Sequence, residues 1–333
     1  MKKILPVCFL LLVGESHTFS QPAGQRPVRF LFRFYEDNDF LNVNFHGTDK
    51  SYTNGLRLNI FYTKNKAAPA FPIRLLTREE NENMIVHGWS LSQLMFTPND
   101  LSQTDFQPDD YSYAGALTLT HTITSYNQKG KFSFQTGVTA GIRGSAAMGE
   151  SVQKFVHKMI QDDMPQGWRH QLKTTPLINF NFSAEKQIAG YGKMLEVIGG
   201  AELSAGTMLN ALSVYPMLRI GLMNSYFEGI LNQFSSDVYR YKSQKMQLYF
   251  TVKPKVSLVI SNAMIQGQVT DNQKGMSLTK NDQDISNTIA ELEYGIVIVY
   301  KHFGIGYTQK PTTSYKKGLY GHNVGNISLY FSH

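Results

Sequence analysis

The sequence predicts an all-β fold, a transmembrane antiparallel β-barrel of the outer-membrane kind, with about twelve strands and one short helix in a long loop. Three observations lead there. Apolar and polar residues alternate with period two in segment after segment, as in strands that turn one side to lipid and the other to a polar interior. Aromatic residues are abundant, with 18 Tyr and 21 Phe. No segment past the N-terminal leader has 18 consecutive apolar residues, so no helix is available to cross a bilayer.

The leader sets the compartment. Lys2-Lys3 precede an apolar run from Ile4 to Val13, and Gly14 to Gln21 is a polar, small-residue stretch suited to cleavage near Ser20-Gln21. This is the pattern of a secretory signal over 1–20, with an apolar run too short to span a bilayer. The barrel domain is then 21–333. The one cysteine, Cys8, falls in the leader, so the mature chain offers no thiolate chemistry and no disulfide. Losing Lys2, Lys3 and Glu15 with the leader removes two positive charges and one negative, taking the net charge from +7 to +6. No basic run or recognition helix is visible, so a phosphate-rich partner at a membrane surface fits better than nucleic acid.

In order, Val28 to Tyr35 is the first strand, and Leu56, Leu58 and Ile60 alternate with Arg57, Asn59 and Phe61 in the second. Met84 to Phe96, Tyr111 to Thr124 and Lys131 to Ile142 follow, the last after the turn Asn127-Gln128-Lys129-Gly130. Thr174 to Lys186, Met194 to Gly206 and Ser213 to Asn224 come next. Lys245 to Asn262, with a possible break at Pro254, and Met264 to Thr270 precede Asn287 to Tyr300, His302 to Lys310 and Asn323 to Phe331. One segment departs from the strand pattern. From Gly149 to Gln161, Val152, Phe155, Val156, Met159 and Ile160 recur at helical spacing, with Glu150, Gln153 and His157 on the opposite side. Pro165-Gln166-Gly167-Trp168 ends that helix, with Asp162 and Asp163 just before it.

Three constellations carry chemistry. Glu36, Asp37, Asn38 and Asp39 are hard oxygen ligands at a strand end; they suit a divalent cation but equally an exposed acidic loop. An EF-hand is excluded, because no glycine stands at loop position 6 and position 12 is Thr48. Tyr52-Thr53-Asn54-Gly55 reads as a hairpin turn from its Asn-Gly, yet the polar Gly47-Thr48-Asp49-Lys50 upstream is a poor strand. His157, with Gln153 and Asp163, is either a solvated residue on a polar helix face or a general base toward water. There is no Gly-x-Ser-x-Gly elbow, no His-Glu-x-x-His and no cysteine-rich zinc pattern.

Together, Asn38-Asp39 after the first strand, the segment Thr48-Asp49-Lys50-Ser51-Tyr52-Thr53-Asn54-Gly55, and the helical Gln153-x-x-x-His157 followed by an acid resemble the lipid A deacylase LpxR family. The resemblance spans the mature chain in architecture, while its specific motifs occupy Glu36 to Leu58 and Glu150 to Asp163. It implies an outer-membrane barrel and a calcium-dependent esterase that removes the 3′-linked acyloxyacyl group of lipid A. Asn38 and Asp39 then match the calcium site, with the Thr53 hydroxyl beside it, and His157 matches the base that activates water. Gln153 matches a polar residue lining the site. Asp163 stands where the family has a glutamate near the metal, with Asp162 as a possible substitute.

One departure bears on substrate recognition. The family can place a basic residue in the loop after its third strand, whereas no Lys or Arg occurs here between Arg78 and Lys129, and the polar residues of Thr97 to Asp110 are Asn, Asp, Gln, Ser and Thr. Lys154, Lys158 or Arg169 would then have to meet a phosphate. The alternatives to a lipid A esterase are a calcium-dependent barrel phospholipase and a non-catalytic structural or pore-forming barrel.

Overall fold

The computed structural model of the protein describes residues 30–43, 50–63, 83–234, 244, 246–266 and 285–333. The leader, Gly47-Thr48-Asp49 and the start of the first expected strand lie outside these residues. Twelve antiparallel strands close into a barrel in which each strand pairs with its neighbours in sequence and β1 pairs with β12. The strands are β1 (Phe30–Asn38), β2 (Ser51–Tyr62), β3 (Asn83–Thr97), β4 (Ala114–Asn127), β5 (Phe132–Arg143) and β6 (Thr175–Tyr191). They continue as β7 (Leu195–Gly206), β8 (Leu209–Leu222), β9 (Met246–Asn262), β10 (Thr288–Tyr300), β11 (Phe303–Thr312) and β12 (His322–Ser332). Among the described residues three α-helices accompany them: α1 (Gly149–Ile160), α2 (Ile230–Gln233) and α3 (Ala263–Gln266).

Closure gives every wall strand a partner on both sides and leaves no sheet edge, the condition for a sheet to stand in hydrocarbon. Phe30 and His333 exchange backbone hydrogen bonds of 3.2 and 2.9 Å, so both ends of the described chain sit at one rim. The short connections 128–131, 192–194 and 301–302 open at that same rim, which identifies it as periplasmic. The longer connections 98–113 and 144–174 emerge at the opposite, extracellular rim.

The alternation has its expected outcome. Trp89, Leu91, Leu119, Val138, Ile178 and Phe180 are exposed on the outer wall, while their sequence neighbours turn inward. The interior is filled rather than open. At the periplasmic end Phe227, Leu231 and Phe234 from the β8–β9 connection pack against Leu31, Val86, Val299 and Tyr330. At the extracellular end Tyr111, Leu172, Met264, Ile265 and Ile285 form a second apolar layer with Phe96. Between the layers lie charged pairs, among them Lys255–Glu291 at 3.0 Å, Lys253–Glu202 at 3.3 Å and Lys310–Asp37 at 3.0 Å.

Two expectations from the sequence need correction. Met264 to Gln266 belong to α3, not to a strand; Met264 and Ile265 are apolar because they plug the lumen, and the rest of that expected strand lies outside the described residues. Removing it leaves the even number that an up-and-down barrel needs when both ends share a rim. At Pro254, β9 runs on without a break. The cost appears in its ladder to β8, where pairing stops at Val214–Val256 and resumes at Leu218–Val252, because Pro216 and Pro254 stand opposite each other without N–H donors.

Phe227 is fully buried in the periplasmic layer. Phe227→Ala should lower the stability of the folded barrel by about 3–5 kcal/mol. Urea titration followed by the heat-dependent gel mobility of the barrel measures this, and an unchanged midpoint would show that the layer is not packed.

Candidate functional site

The strand period divides the acidic cluster. Asp37 turns inward, where its carboxylate accepts from Tyr35 and Tyr52 at 3.1 Å each and from Asn326 at 3.1 Å, and meets Lys310 at 3.0 Å. Tyr52 reaches it only because residue 55 is glycine: a Cβ there would overlap the Tyr52 hydroxyl. Glu36 turns to the other side, with the Asn54 amide donating to it. The four residues therefore do not form one ligand set, since alternate strand residues face opposite media.

Asn38 and Asp39 lie where β1 ends. The Asn38 side chain caps a 3-10 turn over Asp39–Leu41 by accepting from Phe40 N at 2.8 Å. Asp39 is 1% exposed. The turn is held on β11, where Gln309 Nε2 donates to Leu41 O at 3.1 Å and Gln309 Oε1 accepts from Val43 N at 3.1 Å.

Thr53 is not in a hairpin turn. Tyr52 pairs with Phe96 and Asn54 with Met95, so Thr53 is the extra residue of a β-bulge within β2. The bulge aims its hydroxyl at Thr97 Oγ1, 2.6 Å away, with both residues buried. Thr97 shares the outward parity of Trp89 and Leu91 on β3, so this threonine pair lies on the outer wall.

Helix α1 lies against the same wall. Gly149 meets Gly115, an outward position of β4, so closely that a Cβ on Gly115 would come within 3.3 Å of Gly149 Cα. Gln93, outward on β3, donates to Ala147 O at 2.8 Å just ahead of the helix. Met95 joins Leu101, Tyr113 and Trp168 in a small apolar cluster with Val152 of α1 packed on it. The buried face of α1 is its polar one: Gln153 is 3% and His157 is 4% exposed. Phe155, Val156, Met159 and Ile160 stay exposed. This inverts the usual orientation of an amphipathic helix on a protein, and His157 is not the solvated residue its helical face suggested.

Both buried polar side chains have a fixed orientation. His157 Nδ1 lies 2.6 Å from the carbonyl oxygen of Asp163. A carbonyl only accepts, so Nδ1 carries the proton and Nε2 carries the lone pair of the neutral ring. Gln153 Oε1 accepts from Trp168 Nε1 at 2.7 Å, which leaves its Nε2 as a buried donor without a hydrogen-bond partner among the described residues. Trp168 is fully buried, and its ring stands over Gly149.

The Asp163 carboxylate is exposed, and Asp162 accepts from Asp163 N at 3.0 Å. Among the described residues no group of three or more His, Cys, Asp or Glu side chains could hold a metal. By donor type a buried Asp39 carboxylate, the Asn38 amide and the Thr53 hydroxyl suit a hard cation, while Asn38 Oδ1 already accepts from Phe40 N and Thr53 Oγ1 is hydrogen-bonded to Thr97 Oγ1.

The loop that lacks a basic residue folds onto the segment after α1. Gln166 N donates to Leu101 O at 2.9 Å, and Arg169 meets Asp105 at 3.0 Å. Tyr320 donates to Asp110 at 2.8 Å, and burial together with this bond holds its phenol well above the ordinary range. Lys154 pairs with Glu150 at 2.5 Å on the exposed side of α1, where Lys158 also stands. Sequence reasoning missed Thr97, Gln93 and Trp168. Trp168 had one available signal, as one of only two tryptophans, placed just after the break that ends the helix.

A closed twelve-stranded antiparallel barrel with apolar layers at both ends of its lumen and a helix seated on its outer wall is the architecture of an outer-membrane protein. The family model described as "Outer membrane protein LpxR" matches residues 5–333. The chain belongs to the LpxR family and resides in the outer membrane. It is similar to the solved structure of LpxR from Salmonella typhimurium, with 16% identity, a TM-score of 0.70, and coverage of 90% of this chain and 99% of that one. It also matches the beta domain of the Bordetella autotransporter BrkA at 7% identity and TM-score 0.44, covering 91% of this chain and 98% of that one. The translocator domain of NalP from Neisseria meningitidis matches at 9% identity and TM-score 0.42, covering 91% and 88%. No curated protein matches by sequence.

Gly115→Val would force α1 away from the wall. Limited proteolysis should then cut within 144–174 while the barrel keeps its heat-dependent mobility; an uncut connection would show that the glycine contact does not seat the helix.

Proposed function

We propose that this protein hydrolyses an acyl ester of lipid A from the outer leaflet, removing the 3′-linked acyloxyacyl group with water activated by His157 and with calcium as cofactor. Membership of the LpxR family supports a lipid A-modifying role at the family level. The observation that carries the reading is the buried, carbonyl-held His157 between α1 and the outer wall, with the Gln153 amide four residues before it.

In this reading the Nε2 lone pair of His157 takes a proton from water as the water oxygen attacks the ester carbonyl carbon. The ester C–O bond breaks, and the departing sugar oxygen takes that proton from the imidazolium, so the acid is released and the base restored. The Asp163 carbonyl keeps Nδ1 protonated and stabilises the charged ring. Gln153 Nε2, held by Trp168, is a preoriented donor for the negative charge that develops on the carbonyl oxygen. Asn38, Asp39, Thr53 and Asp163 would hold the calcium, which when bound would polarise the ester carbonyl. Lys154, Lys158 and Arg169, on the exposed side of the site, would meet the phosphates.

A pore is not favoured, because apolar layers fill both ends of the lumen. Mass spectrometry of lipid A from Gram-negative cells expressing the protein tests the reading. A loss of mass equal to an acyloxyacyl group is expected, dependent on calcium. His157→Ala should slow the reaction about 10²- to 10⁴-fold, and Gln153→Ala about 10²- to 10³-fold. Unchanged lipid A with a folded barrel would reject the esterase reading, and fatty acid release from phosphatidylethanolamine would replace it with the phospholipase.

A further inference from the structure

Helix α1 has three faces, and the proposed site leaves one of them unused. Gly149 meets the wall, and Gln153 and His157 are buried on the same side of the helix. Ser151, Lys154 and Lys158 form a charged and polar stripe open to water. The third stripe is apolar and is covered by nothing among the described residues: Phe155 is 64%, Met159 54%, Ile160 53% and Val156 39% exposed. The pairs Phe155/Met159, Val156/Met159 and Val156/Ile160 are three or four apart, so the four residues form one continuous side.

We propose that this stripe is immersed in the hydrocarbon of the outer leaflet, so that α1 lies in the membrane interface with its lysines toward the headgroups and its apolar side among the acyl chains. Two observations identify the occupant as lipid. The stripe is continuous with an established lipid-facing surface, because α1 rests on the outward side of β3 and β4, the strands that expose Leu91 and Leu119. The cationic and apolar stripes are also segregated as in helices that lie flat in a bilayer interface. Leaving large apolar side chains in water is unfavourable, whereas the leaflet covers them without a protein partner. The consequence deepens the reading of this site given above and rests on it: the ester would reach His157 sideways, along acyl chains already in contact with α1, and its phosphates would remain level with Lys154 and Lys158.

The test uses the full barrel in phospholipid vesicles whose acyl chains carry bromine, a contact quencher of tryptophan. In a Trp89→Phe background only the fully buried Trp168 contributes constant emission. Met159→Trp should be quenched as strongly as the lipid-facing Trp89 of the unmodified protein, and Lys158→Trp, one residue away on the water side, should not. Equal quenching of the two reporters, or none of Met159→Trp, would overturn the proposal. Phe155→Asn with Met159→Asn should also slow lipid A hydrolysis in vesicles on the order of tenfold, but not in detergent micelles. An equal loss in both would overturn the lateral route. Quenching as expected without hydrolysis by any form would reject the esterase reading and leave the seating of α1 in place.

Discussion

The approach of Gly149 to Gly115 lets a helix lie flat on a barrel wall that otherwise faces lipid. Everything at the site follows from that contact. It brings the polar side of α1 against the outer ends of β3 and β4, where Gln93, Met95 and Thr97 provide a hydrogen bond, an apolar cluster and a hydroxyl. Trp168 then fixes Gln153 and Asp163 fixes His157. Gln153 and His157 are buried, and in a low-dielectric setting oriented dipoles count for more.

The lumen has the complementary character. Its charged residues are numerous but neutralise one another, as Asp37 does with Lys310 and Glu196 with Arg219. Apolar layers close the lumen above and below this belt. Such an interior fills the lumen, and in the proposed function the substrate is met on the outer surface instead. For a lipid that is the economical arrangement, since its acyl chains need not leave hydrocarbon.

Most of the fold was legible in the sequence because a barrel strand signals itself through period-two alternation and short turns. The exceptions have physical causes. Met264 and Ile265 are apolar like a strand but serve as a plug, and Pro254 looked like a break because the donor it lacks is missing from the ladder rather than from the strand. The site was legible by residue type and only partly by placement. Asp37 belongs to the lumen because alternation puts it opposite Glu36, a consequence the cluster as a run of ligands concealed. Thr53 read as part of a turn because a bulge and a turn share Asn-Gly chemistry. The faces of α1 were found correctly, yet which face is buried depends on the surrounding medium, and a membrane reverses the rule that holds in water.

The most direct measurement is photocrosslinking in living Gram-negative cells, with a photoreactive residue replacing either Gln153 on the outer wall or Tyr215 in the lumen. A substrate met from the leaflet predicts a lipid A adduct at position 153 and none at position 215. Adducts at 215, or none at 153 in a folded barrel, would contradict an outer-wall site.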